Sequence, residues 1–210
     1  MDKKANLDQM IEEQVHANAD KLTDEQKQAM KEALTQVMKE GKLPYEAMNF
    51  DADFLEYIYG NGYQLFKSGH FDKAKEIFQL LMMLNPSDPK YCMGLATCAR
   101  QQKDFDGSIQ YFFQTALLDR DNPYPFYFAA ECFVEKKDYA SGIFALKLAE
   151  ERVKNNPKLA PLSKQIAALV ENLESKVEEK PKEESLFKDL DPETRKEVVG
   201  IFLNNIFPVE

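Results

Sequence analysis

Apolar residues in the middle of the chain recur on two scales. Within short stretches they fall three and four positions apart, the spacing of one helical face. The spacing predicts a helix over 53–68 with Ile58, Gly62 and Leu65 on one side, a break at Gly69, and a partner helix over 71–84 that Asn85 and Pro86 stop. On the longer scale the pattern returns every 34 residues: Phe71, Phe105 and Tyr139; Phe78, Phe112 and Leu146; Leu81, Thr115 and Ala149; and the small residues Gly62, Ala96 and Ala130.

A 34-residue period is that of the tetratricopeptide helix pair. One such hairpin cannot bury its apolar side alone, so hairpins stack, small residues letting helices approach and large ones filling the next groove. The second unit is expected over 88–119 with Lys103 and Asp104 at its turn, the third over 123–154 with Lys137 and Asp138 there. Turns this short make the paired helices antiparallel neighbours. The expected fold is all-α: a tetratricopeptide-repeat superhelix of three helical hairpins, 53–86, 87–120 and 121–157, with flanking helices at both ends.

Outside the repeats, residues 1–22 form a polar arm, a loosely held helix or a disordered segment, in which Leu7, Met10, Ile11 and Val15 make a weak stripe. Residues 23–52 hold a clearer helix: Thr23 and Gln26 have capping-box spacing, Met30, Ala33, Leu34 and Val37 share a face, and Gly41 with Pro44 ends it. After the repeats, 158–177 carries Leu162, Ile166, Leu169, Val170 and Leu173 at helical spacing, as a helix capping the open end of a solenoid would. A charged linker follows over 178–190, with Pro181 inside it. The last segment, 191–210, starts at Asp191 and Pro192 and gathers Val198, Val199, Phe202, Leu203 and Ile206 on one side of a short helix. Three destinations stay open for it: the repeats as extra structure, the protein's own groove, or a separate partner.

Composition narrows the function. A net charge of −9 argues against nucleic acid, whose phosphates need a basic surface. No apolar run approaches the ~20 residues of a membrane span, and 1–20 is too polar for a secretory signal, so the expected location is the cytoplasm without membrane insertion. Cys92, Cys98 and Cys132 show no metal-ligand spacing and read as small buried apolar residues. His16 and His70 sit in polar surroundings without an evident carboxylate or nucleophile, and no phosphate loop, nucleophile elbow or paired-histidine zinc motif occurs. The expectation is a non-enzyme with neither cofactor nor metal.

Function should then lie on the inner surface, lined by the first helix of each repeat on the side away from the packing columns. Tyr59, Tyr63 and Phe66 share such a face; one period on stand Met93, Thr97 and Arg100, then Tyr127, Glu131 and Val134, with Tyr124 one turn before Tyr127. Aromatic side chains offer large contact area at small entropy cost, and tyrosine adds a hydroxyl for an extended peptide's backbone. Arg100 is the one cation in this set, so the face does not suit the carboxylate clamp with which some co-chaperones grip an acidic C-terminus. An apolar, aromatic groove suits an extended ligand with hydrophobic side chains.

The stretches LEYIYGNGYQLFKSGHFDKAKEIFQLL (55–81), YCMGLATCARQQKDFDGSIQYFFQTALLD (91–119) and NPYPFYFAAECFVEKKDYASGIFALKLAEE (122–151) resemble the class II chaperones of type III secretion. The likeness spans about 23–177, and Pro123, Pro125 and the run 129–132 are its most specific features. It implies a cytoplasmic bacterial chaperone whose groove holds a segment near the N-terminus of a hydrophobic translocator protein, two prolines and a leucine occupying successive pockets, with Tyr59, Tyr63 and Phe66 among the contacts. It also implies a possible homodimer through the N-terminal helix, with Met30, Leu34 and Val37 as contact candidates; packing on the first repeat is the alternative for that face. The extension 178–210 departs from a minimal member and lacks the proline–leucine–proline spacing. A structural adaptor scaffolding components of a secretion apparatus is the competing function.

Overall fold

The computed structural model describes residues 3–17, 21–154 and 157–177, and the regular elements among them are all helical. The sequence expectations for 178–210 lie outside the described residues. Two N-terminal helices, α1 (Lys3–Ala17) and α2 (Asp24–Glu40), precede a single turn, α3 (Pro44–Ala47). The three hairpins follow as α4 (Ala52–Lys67) with α5 (Phe71–Leu84), α6 (Pro89–Gln101) with α7 (Phe105–Leu118), and α8 (Tyr124–Glu135) with α9 (Tyr139–Val153). A 3₁₀ turn at Pro157–Leu159 leads into α10 (Ala160–Glu174), which packs on α9.

The same chemistry closes each hairpin. Gly69, Lys103 and Lys137, one period apart, adopt left-handed φ values of 79°, 62° and 61°. Glycine takes this conformation freely, whereas each lysine does so at a cost of roughly 1–2 kcal/mol. Caps compensate in the second and third hairpins: Asp104 accepts from the Gly107 amide at 3.0 Å and Asp138 from the Ser141 amide at 3.1 Å. His70 in the first hairpin makes no such bond.

Between hairpins the repeating columns interlock. Phe78, Phe112 and Leu146 are buried, as are Leu81, Thr115 and Ala149, and as are Gly62, Ala96 and Ala130 opposite them. Phe78 of α5 lies between two glycines: a methyl built on Gly62 would meet Ile77 at 2.8 Å and the Phe78 ring at 3.1 Å, and one on Gly94 would meet that ring at 2.7–2.9 Å. The packing face of α4 differs from expectation in detail, because Leu55 and Gly62 are fully buried while Ile58 and Leu65 are only partly so. Buried and half-buried polar groups serve the same joints. Ser108 donates to the Ala96 carbonyl at 2.8 Å, and Arg152 donates to the carbonyls of Ala116, Asn122 and Asp119 at 2.8, 2.8 and 3.1 Å. That guanidinium also lies 4.3 Å from the Phe126 ring centroid. Burial lowers its pKa to about 10, which leaves it charged at neutrality, so it caps the end of α7 from α9.

Of the two forms expected for the N-terminal arm, residues 3–17 take the helical one, as α1. Ile11 is 2% exposed and Lys31–Glu12 and Lys39–Asp8 pairs tie α1 to α2, but Met10 of the expected stripe is 45% exposed. The Thr23–Gln26 capping box and the left-handed Gly41 bound α2 as read from the sequence. Residues Met30, Leu34 and Val37 are half-buried and line a cavity of about 560 Å³ with Pro44, Ala47 and Met48, so their face meets α3, and α2 contains no fully buried residue.

These contacts separate two glycine substitutions. Gly94→Ala gains up to about 1 kcal/mol of helix propensity, but forces the Phe78 ring to move at a cost of ~1–3 kcal/mol. Gly60→Ala meets nothing within 4 Å and keeps the propensity gain. Thermal melting should fall for the first and rise for the second.

Candidate functional site

The first helices of the three repeats lie side by side and are tied by polar links. Lys90 of α6 pairs with Glu56 of α4 and, at 3.2 Å, with Asp88. Arg100 of α6 donates from Nη1 to Glu131 Oε2 of α8 at 2.6 Å. Both pairs are partly exposed, so each contributes on the order of 0–1 kcal/mol. They bridge α4 to α6 and α6 to α8 across the face those helices share.

On α4, Tyr59 and Tyr63 stack with ring centroids 6.5 Å apart, and Phe66 turns toward Phe71 at 5.5 Å. Tyr63 is 47% exposed, with the Lys67 ammonium 5.8 Å from its ring. Tyr59 differs from its neighbour. Its ring also meets Phe78 at 5.7 Å and the buried Tyr91 at 6.1 Å, with the Lys90 ammonium 5.2 Å away. Desolvation raises the Tyr59 hydroxyl pKa, and nearby Lys90 opposes it in part. Tyr59 therefore serves the core as well as the face, which the sequence spacing alone did not separate.

On α6, Met93 and Thr97 are half-buried, and the Thr97 hydroxyl is occupied by the Met93 and Gly94 carbonyls, both at 2.9 Å. Its donor is spent within the helix, which leaves the methyl and the oxygen's acceptor lone pairs as the parts able to touch a ligand. Arg100 lies 5.5 Å over the ring of Phe128. This phenylalanine was missing from the sequence expectation and is the hub of the α8 cluster: Tyr124 stacks on it at 6.1 Å, Tyr127 meets it edge-on at 5.8 Å, and Phe112 lies 5.7 Å beneath. The signal was present in the Tyr124–Phe128 spacing of four, one helical turn. The period concealed it, because the equivalent positions are Gly60 and Gly94.

The structure thus stacks Tyr59 on Tyr63 while Phe66 packs on Phe71 instead, and it gathers Arg100, Tyr124 and Tyr127 around Phe128 with Glu131 held by Arg100; Met93 and Thr97 lie on α6, the helix that ion pairs join to both α4 and α8. Val134 lines a cavity with Arg100, Tyr127 and Glu131 that continues to Leu169 and Leu173 of α10. Among the described residues no group of three or more His, Cys, Asp or Glu is arranged to hold a metal, and no helix is long and apolar enough to cross a membrane. The thiols of Cys92, Cys98 and Cys132 are buried.

No family model matches the chain. The low calcium response locus protein H of Yersinia pseudotuberculosis is 30% identical over 128 residues, 60% of this chain and 76% of that protein. The Yersinia enterocolitica type III secretion translocator chaperone SycD, solved with a peptide of the translocator YopD, is 28% identical with a TM-score of 0.56, covering 60% of this chain and 96% of SycD. The chain belongs to the class II translocator chaperones of type III secretion. A further translocator chaperone of this fold, Pseudomonas aeruginosa PcrH in complex with the chaperone-binding region of PopD, is 26% identical with a TM-score of 0.57, covering 61% of this chain and 96% of PcrH. SycD has also been solved as an alternative dimer.

The cysteines give a pH-dependent check on the packing beside this face. Desolvation pushes the Cys92 and Cys98 thiols up to about 11 and raises that of Cys132. Because the thiolate is the reactive form, a disulfide reagent at pH 8 should titrate almost no thiol in the folded protein and all 3 after denaturation, with folded-state reactivity rising toward pH 11. Rapid native labelling at pH 8 would contradict the packing.

Proposed function

We propose that the face formed by α4, α6 and α8 holds an extended segment of a hydrophobic translocator, and that the chain keeps this client from premature association before export. The observation that carries the reading is the pair of aromatic groups, around Tyr63 on α4 and around Phe128 on α8, with Met93 and Thr97 on the intervening α6. Such a surface recognises apolar side chains on an extended backbone, and the partly exposed tyrosines supply hydroxyls for its amides and carbonyls. SycD and PcrH, of the same family, are each solved with a translocator segment bound, which supports an equivalent client here.

Masking apolar surface is a binding activity and asks nothing of a catalytic group, so a non-enzymatic role follows. A client that must be held before export places the work in the bacterial cytoplasm. The half-buried Met30, Leu34 and Val37, beside an open apolar cavity, are the proposed contact for a homodimer. The repeats and the α10 cap form the client-binding unit in this reading, and α1 and α2 the association unit.

Tyr63 is a cleaner probe than Tyr59, because truncating Tyr59 also strips contacts from Phe78 and Tyr91. Tyr63→Ala should change stability by no more than about 0.5 kcal/mol. It should weaken the N-terminal region of the cognate translocator about tenfold, the loss of one interface anchor. Calorimetric titration with melting controls reads both. Unchanged affinity would remove the first repeat from the site, and retention of secretion machinery rather than an apolar client on purification would favour an adaptor.

A further inference from the structure

At the far end of the shared face, α6, α8 and α10 surround a cavity of about 310 Å³. Its floor is apolar, built from Ala130, Val134, Leu146, Leu169 and Leu173, and its rim is acidic, with Glu131 and Glu135. Arg100 engages Glu131, so the exposed Glu135 sets the sign of the rim. An occupant that fits is an apolar stripe with a cation at one end.

The chain carries such a stripe a short distance away. The last described residue, Val177, lies 4 positions beyond Leu173 on the cavity wall, and residues 178–210 follow. Within them Arg195, Val199, Phe202 and Ile206 are spaced four, three and four apart, so a helical register puts one cation and three apolar side chains in line. A linker of 13 residues, the length of 178–190, spans on the order of 20 Å by random-coil statistics, enough for residues 195–206 to return to a cavity beside α10.

We propose that residues 195–206 of this same chain occupy the cavity between α8 and α10, with Val199, Phe202 and Ile206 on its floor and Arg195 against Glu135. The segment lacks the proline–leucine–proline spacing expected of a translocator, so it does not copy the client; it occupies the end of the client's face. Tethering supplies an effective concentration up to about 1 mM, so a contact of only ~100 μM intrinsic affinity would be mostly closed and would weaken a client needing that end about tenfold. The contact itself does not depend on the chaperone reading, and its test uses no client.

Asn204 falls on the side opposite the stripe, so a nitroxide on full-length Asn204→Cys reports position without touching the contact, while the buried native thiols stay unlabelled. Methyl signals of Val134, Leu146, Leu169 and Leu173 should lose most of their intensity. Phe202→Glu with Ile206→Glu should restore them, and Arg195→Glu should restore them in part until Glu135→Arg reverses the charge. Undiminished cavity signals, or loss confined to another surface such as α2, would overturn the proposal. So would loss seen only when spin-labelled, unenriched protein is mixed with unlabelled, isotope-enriched protein, since a second copy would then be the occupant.

Discussion

The seat of Phe78 between Gly62 and Gly94 is the contact on which the rest of the molecule depends. Removing two side chains lets α4 and α6 close on a single ring of α5, and that closeness sets α4 and α6 near enough for Lys90 to reach Glu56. It also leaves Tyr59 with one edge on Phe78 and another toward the open face. A helix pair held by larger residues would stand farther apart, and the tyrosines would no longer share a surface with Met93 and Arg100.

One period later the same pair of positions is used differently. Phe112 stands where Phe78 does, but its partner in the Gly94 position is Phe128, 5.7 Å away. The added ring cannot be absorbed where glycine was needed, and it becomes the hub on which Tyr124, Tyr127 and Arg100 converge. A single exchange of glycine for phenylalanine in a repeating column therefore converts a packing joint into half of the candidate site. The repeats supply a scaffold, and the departures from repetition supply chemistry.

This explains which features were legible in the sequence. Periodic small and large residues reported the hairpins and their turns, and helical spacing reported the pairing of Tyr59 with Tyr63. Phe128 escaped because a column that reads glycine, glycine, phenylalanine carries no repeated signal. The double duty of Tyr59 escaped because spacing gives direction from a helix axis but not the depth of a neighbour. The ion pair of Arg100 with Glu131 joins positions 31 apart, off the period, so no column could announce it. Nor could composition say that a half-buried Arg152 would hold three carbonyls at the end of α7. Each omission is an interaction between helices whose members occupy non-equivalent places in their repeats.

Oxidative side-chain footprinting of the full chain, alone and co-purified with its cognate translocator, tests most directly whether the client lies on the α4–α6–α8 face. Tyr63 and Tyr124 are 47% and 42% exposed on that face, whereas Tyr57 and Met83, 71% and 72% exposed, point away from it on α4 and lie on α5. Protection of Tyr63 and Tyr124 with Tyr57 and Met83 unchanged is the predicted result. Protection of Tyr57 and Met83 while Tyr63 and Tyr124 remain fully reactive would contradict it and move the client to the opposite surface.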